Sequence, residues 1–324
     1  MIGLAGTAEL YRATARIVSF CAVAISFGAT SLLPLRADEA SPLPVKEIAS
    51  GVFVHEAPVA LANENNLGAI ANVGFVVGRD GVAVIDTGGS LAAGKRLLAA
   101  IRLRVTQPIL YVINTHMHPD HVLGNAAFKA DETIFVGHHN LPRALADRER
   151  AYLTANSALI GLSFRGSQIV PPTLLVEETV ELDLGDRRLR VEAWRTAHTN
   201  TDVTVLDVAT DTWFLGDLFF LDHLPALDGS LTGWILTLRA LSARPASRVV
   251  PGHGSPTTAW PEAAAPMERY LSRLAGEVRS LIRSGGTISE AAQQAARTEA
   301  GSWLLFDEFN SRNATAAFHE LEWE

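Results

Sequence analysis

Residues 115–121 read Thr115-His116-Met117-His118-Pro119-Asp120-His121, which places four ligand-type side chains within six positions. Imidazole and carboxylate without thiolate suit zinc or another borderline divalent ion. In a loop, His116 and His118 can converge on one ion while Asp120 and His121 turn towards a second, with Pro119 fixing one angle of the turn. The chain has ten histidines in 324 residues, so three within six positions is not a chance density. Further ligands must come from elsewhere. His198 stands in Thr196-Ala197-His198-Thr199, Asp217 follows Trp213-Phe214-Leu215-Gly216, and His253 lies in Pro251-Gly252-His253-Gly254. Alone, each is ordinary turn chemistry. Together they are a candidate set for a pair of ions that activate water and polarise an oxygen.

The surrounding sequence supplies elements to carry them. Val52–His55, Val73–Gly78 and Val82–Asp86 read as strands, with Arg79-Asp80-Gly81 as a hairpin turn between the last two. Gly88-Gly89-Ser90 caps a helix over about 91–103, and Ile109–Ile113 is a continuous apolar run read as a buried strand that ends just before the histidine cluster. Another strand is expected at Ile134–Val136, and helix over about 141–159. Strands follow at Thr179–Leu184, Arg188–Trp194, Val203–Val208 and Thr212–Leu215, then helix over about 231–241 and a short strand at Arg248–Val250. From about Glu262 the chain reads as mostly helical. Each distant ligand therefore sits just beyond a buried strand. The order of elements predicts two β-sheets packed together with helices outside, in one domain.

Composition narrows the partners. The balance of 27 Lys+Arg against 35 Asp+Glu is −8, only Lys46, Lys95 and Lys129 are lysines, and no basic cluster marks a nucleic-acid surface. Arg12 and Arg16 precede an uncharged apolar run from Ile17 to Leu35, closed by Arg36-Ala37-Asp38-Glu39. This pattern predicts a signal peptide over 1–37, cut after Ala37, with an uncleaved anchor as the alternative. Its removal takes three arginines and one glutamate, moving −8 to −10, and takes the lone Cys21, so residues 38–324 form no disulfide. No later apolar run is long enough to span a membrane. The expected location is the periplasm or the medium.

The ordered motifs Val84-Ile85-Asp86-Thr87-Gly88, His116-x-His118-x-Asp120-His121, His198, Gly216-Asp217 and Pro251-Gly252-His253-Gly254 resemble the metallo-β-lactamase superfamily. The resemblance implies an α+β fold, the αββα sandwich of two mixed sheets with helices on the outer faces. It implies that His116, His118 and His198 hold one zinc, that Asp120, His121 and His253 hold a second, and that Asp217 bridges them; iron or manganese would fit the same set. Several true β-lactamases place cysteine or serine at the position of Asp217, so the aspartate resembles the glyoxalase-type hydrolase branches instead. Asn72-Val73-Gly74-Phe75, Asp86–Ser90 and the stretch from Leu215 to Trp234 resemble, more narrowly, the exported zinc metallohydrolases of the quinoprotein relay system. That narrower likeness implies a periplasmic quinoprotein dehydrogenase as partner.

The implied reaction is hydrolysis of an ester, thioester or amide of a small molecule, with Asp120 as catalytic residue and ligand. Asp86 and Thr115 are expected to hold ligand imidazoles by hydrogen bonds. His223, Asp228 and Trp234 are expected to face the substrate, although Asp228-Gly229-Ser230 also reads as a helix cap. His138 and His139 read as surface or helix-start residues, His55 and His319 as structural, and Trp303, Phe306, Phe309 and Trp323 as core. The alternatives are a generalist of the same fold, such as a glyoxalase II-like thioesterase or a β-lactamase, and a metal-bearing accessory protein without turnover.

Overall fold

The protein is described here by a computed structural model covering residues 41–130 and 132–324; the expected signal peptide lies outside the described residues. Seven strands form one sheet in sequence order: Lys46–Ala49 (β1), Val52–His55 (β2), Val73–Val77 (β3), Val82–Ile85 (β4), Ile109–Ile113 (β5), Ile134–His138 (β6) and Leu174–Val176 (β7). The first four pair antiparallel and β4 to β7 pair parallel. The Asp80-Gly81 hairpin joins β3 to β4 with Val77 opposite Val82. Five strands form the second sheet: Thr179–Asp183 (β8), Arg188–Ala193 (β9), Val203–Asp207 (β10), Thr212–Phe220 (β11) and Arg248–His253 (β12). Its order is β12-β11-β10-β9-β8, antiparallel except for the parallel β11–β12 pair.

Strand alternation assigns each side chain to a layer. Ala83 and Ile85 point inward and meet Val191, Val205, Phe214 and Val250 of the second sheet, making the core between the sheets. Val82 and Val84 point outward and pack under Ala93, Leu97, Ala100 and Ile101 of helix Leu91–Arg102 (α1). Ser90 caps α1 by accepting from Ala93 N at 3.1 Å. On the far face, Trp213, Leu215 and Val249 are covered by helices Leu231–Ser242 (α2), Ala265–Arg283 (α3) and Phe306–Leu321 (α4). Met267, Tyr270, Leu271, Leu274, Ala275 and Val278 make one buried stripe along α3 at helical spacing. Each Leu, Met or Val of this stripe contributes roughly 1.5–3 kcal/mol when taken out of water. The result is the expected αββα sandwich. Among the described residues no helix is long and apolar enough to cross a membrane.

Two boundaries differ from expectation, and both matter for the site. β11 runs on to Phe220 and β12 to His253, so Asp217 and His253 lie within paired strands and not in loops beyond them. The register shifts around Gly216, whose φ of +52° permits a bulge there, and this turns Asp217 to the rim. In the C-terminal segment Trp303 and Phe306 are buried as expected. Trp323 is 86% exposed, because it follows the last turn of α4 with nothing packed over it.

Candidate metal centre

The histidine cluster leaves β5 and enters a single helical turn, Pro119–Val122, with Pro119 in its first position. Two buried amides fix this passage: Asn125 Nδ2 donates to Asn114 Oδ1 at 2.7 Å, and Asn114 Nδ2 donates to Asn125 Oδ1 at 3.0 Å. The other ligands arrive from the second sheet. His198 follows β9, Asp217 sits on β11, and His253 ends β12. Asn72 locks the last strand end, donating to Pro251 O at 2.9 Å and Gly254 O at 2.7 Å.

All seven expected ligands come together, in two groups. His116, His118, His198 and Asp217 form one; Asp120, His121 and His253 form the other. In the first, His118 Nδ1 and His198 Nε2 are 3.0 Å apart, and Asp217 Oδ2 is 3.6 Å from His116 Nε2 and 3.3 Å from His198 Nε2. In the second, Asp120 Oδ2 is 3.6 Å from His121 Nε2 and 3.4 Å from His253 Nε2. Asp217 reaches this group too, with Oδ1 3.2 Å from His121 Nε2 and Oδ2 3.5 Å from His253 Nε2. Ligand atoms at 2.0–2.1 Å around a tetrahedral ion lie about 3.3 Å from one another, so this spacing fits zinc. His116 Nε2, His121 Nε2 and Asp217 Oδ1 are buried with no hydrogen-bond partner. Buried polar atoms are nearly always satisfied. An ion in each group would satisfy these three.

The opposite edge of three rings is held. His121 Nδ1 meets Asp86 Oδ2 at 2.8 Å, and His116 Nδ1 meets Thr115 Oγ1 at 3.1 Å. Thr115 in turn donates from Oγ1 to Asp86 Oδ2 at 2.7 Å and from its backbone N to Asp86 Oδ1 at 2.8 Å. With a proton on each Nδ1, both Nε2 lone pairs are free for an ion. Asp86 and Thr115 thus contact the rings of His121 and His116 on the side away from the cluster. His118 Nε2 is held by Asp228 Oδ2 at 3.0 Å. Asp228 borders the cavity, yet its contact is with a ligand ring, and the helix cap expected of its neighbours falls to Ser230, which accepts from Gly233 N.

Burial and charge act together. Burial would raise the carboxyl of Asp120, but His121 and His253 outweigh it and bring it to about 2. Asp217 is likewise held well below the carboxylate range, where burial is overcome by His121, His253 and His116. Burial pushes His198 down to about 3 and His223 down to about 4, so both rings are neutral near pH 7.

A cavity of about 300 Å³ opens over the two groups. His223 lines it, its Nδ1 donating to Leu224 O at 2.5 Å, and its ring lies 4.8 Å from that of His253. Trp234 does not face it, which corrects the expectation. Trp234 is fully buried, donates from Nε1 to Leu218 O at 3.0 Å, and packs its ring 5.0 Å from His198. It lies on the inward stripe of α2 with Leu231, Ile235 and Leu238, so it supports a ligand from behind. Reading the sequence also missed Arg148 and Tyr152 on the helix Leu141–Ile160 and Phe309, Arg312 and Asn313 on α4, all of which border the cavity. His138 is buried at the end of β6, its Nε2 against Trp194 O, which corrects the expected surface or helix-start role.

The family profile described as the metallo-beta-lactamase superfamily matches residues 68–253, a stretch that contains every one of these ligands. The chain belongs to that superfamily. Within the matched stretch lies a His/Asp cluster whose two groups could each hold a metal ion. A linear primary-alkylsulfatase of Pseudomonas sp. (strain ATCC 19151) is 36% identical over 58 residues, 18% of this chain and 11% of that protein. Among solved structures, the stereoselective inverting sec-alkylsulfatase of Pseudomonas sp. aligns at a TM-score of 0.65 and 15% identity, over 86% of this chain and 50% of that one. A metallo-beta-lactamase from Pontibacter korlensis aligns at a TM-score of 0.57 and 21% identity, over 71% of this chain and 99% of that one. The chain thus spans about half the length of the alkylsulfatase structure it matches.

Proposed function

We propose that the superfamily chain is an exported dinuclear zinc hydrolase acting on an ester, thioester or amide of a small molecule. The observation that carries this is the seven-residue set, whose neighbouring donor atoms lie 3.0–3.6 Å apart with three of them buried and unpartnered. His116, His118 and His198 would hold one zinc and Asp120, His121 and His253 the other, with Asp217 between them. When bound, two such ions would supply a water nucleophile at neutral pH and polarise the oxygen under attack. Asp120 would orient that water and accept its proton. His223 presents a neutral ring whose Nδ1 proton is committed to Leu224 O, which leaves Nε2 to meet the substrate.

Metal analysis of residues 38–324, with an Asp120→Ala variant, tests this. Two zinc per chain and loss of turnover in the variant are expected; no stoichiometric metal, or a fully active variant, overturns it. The alkylsulfatase similarities favour a second reading, hydrolysis of sulfate esters, and a panel with an alkyl sulfate beside esters, thioesters and lactams separates the two. Export rests on the residue pattern at 12–39, and N-terminal sequencing of the protein from periplasm tests it. Partnership with a quinoprotein dehydrogenase rests on the motifs around Asn72, Asp86 and Leu215–Trp234, and co-purification from periplasm tests it.

A further inference from the structure

The wall of the cavity furthest from the family-matched stretch is α4, since the match ends at residue 253 and α4 spans Phe306–Leu321. Phe309, Arg312 and Asn313 stand at spacings of three and four, so they share one face of that helix, and all three border the cavity. Each does something different there. Phe309 lays its ring 5.1 Å from that of His223. Asn313 is spent inside, accepting from Leu227 N at 2.9 Å and donating to Pro225 O at 2.6 Å. Arg312 makes no hydrogen bond or ion pair with any described residue. The other guanidinium of the cavity, Arg148, already faces Asp228 Oδ2 at 3.7 Å. The same cavity is also lined by the apolar Leu61, Ile70, Leu227 and Phe309.

Arg312 is solvent-exposed, and it also borders the ligand cavity. The planar fork of guanidinium donors matches a carboxylate or similar oxyanion. The metal groups are largely buried whereas Arg312 is exposed, so a charge read by Arg312 is set towards solvent, away from the bond to be cut.

We infer that the enzyme selects substrates with a short apolar body and a negative charge set away from the scissile bond, with Arg312 reading that charge. This rests on the hydrolase reading above. A cavity of about 300 Å³ is at the small end of ligand pockets, which favours a small substrate body. For such an ester the oxygen of water ends in the new acid, and its second proton goes to the departing alcohol.

The test compares neutral p-nitrophenyl butyrate with the p-nitrophenyl monoester of glutaric acid, which carries a free carboxylate. The metal-loaded wild type, Arg312→Ala and Arg312→Lys are each assayed for kcat and KM, with metal content measured. Wild type is expected to favour the anionic ester. In Arg312→Ala the ratio of the two kcat/KM values should fall about tenfold, mainly through KM, with lysine restoring part of it. Equal use of the two esters by wild type overturns the inference, as does an unchanged ratio in Arg312→Ala. A preference for a short alkyl sulfate without any carboxylate preference overturns it too. If metal-loaded wild type cuts neither ester, the ester reading fails, and the inference is judged by thermal shift. Protection by monomethyl glutarate beyond that by dimethyl glutarate, lost in Arg312→Ala, then upholds it, and equal protection overturns it.

Discussion

Asp86→Asn isolates the part of the site that chooses which nitrogen of a histidine carries the proton. Asp86 is buried, and its carboxylate accepts from Thr115 N, Thr115 Oγ1 and His121 Nδ1 at 2.7–2.8 Å. Asparagine keeps the shape and tolerates the φ of +55° at this position. Its Oδ1 can still accept from Thr115 N. The amide NH2, however, would replace Oδ2 and oppose the donor on His121 Nδ1. The Thr115 hydroxyl can rotate away; the imidazole can only move its proton to Nε2. That proton would then sit on the atom 3.2 Å from Asp217 Oδ1 and 3.6 Å from Asp120 Oδ2, where an ion would otherwise be held. Losing an outer hydrogen-bond partner of this kind weakens metal binding about 10- to 100-fold, or roughly 1.4–2.8 kcal/mol. The loss should fall on the Asp120–His121–His253 group, leaving the His116–His118–His198 group much nearer to wild type. A competitive chelator titration that resolves two binding steps measures this directly. Two steps unchanged within twofold would refute the reasoning. Asp86→Ala is a poorer test, because it also strands three buried donors and places a Cβ-bearing apolar residue at positive φ.

Three further outcomes follow from the same geometry. Gly252→Ala puts a Cβ 1.8 Å from Asp217 Oδ1, so the carboxylate must move; metal affinity should fall at least about tenfold while circular dichroism stays native. His223→Ala should lower kcat by about tenfold with metal content intact, and parallel loss of metal would make His223 a ligand. Glu299 is buried between Arg269, at 2.8 Å, and Arg273, at 3.0 Å. The hydrogen bond from Arg269 holds its carboxyl below the ordinary value, so the stabilisation is present above that value and is lost as pH falls through the lowered one. Urea unfolding should show Glu299→Gln about 1 kcal/mol less stable near pH 7, both guanidiniums being half exposed, with the difference shrinking in acid.

The layers and most elements could be read from the chain because they depend on local patterns. Alternation along Val82–Ile85 and the continuous run Ile109–Ile113 each define a strand by themselves. The ligands could be read because two of the three strand ends that carry the distant ones bear a motif of their own. What escaped depends on long-range placement. Nothing local says that Asp228 will meet His118, 110 positions away, in preference to the substrate. Asp217 looked like a loop residue because a bulge at Gly216 is invisible until β12 pairs beside it. Trp234 was misplaced although the signal existed: Leu231, Trp234, Leu238 and Leu241 follow the buried stripe of α2. In α4 the opposite error arose, since an aromatic helix that reads as core also presents Phe309 and Arg312 to the cavity.

The segment 223–228 shows why those misplacements belong to one arrangement. It carries His223, which lines the cavity, and Asp228, which holds His118 Nε2. Its own position is set by Asn313 through Leu227 N and Pro225 O, and by Leu304 O, which accepts from Leu224 N at 3.0 Å. The C-terminal helix therefore touches the centre in two ways at once. It forms the outer wall of the cavity, and it fixes the backbone from which a ligand ring is oriented. A change in α4 that shifts Asn313 would disturb the His118 ring, whereas one confined to Arg312 would leave it in place. This separation lets the outer wall vary between substrates without disturbing the metal groups, as long as the Asn313 clamp is kept.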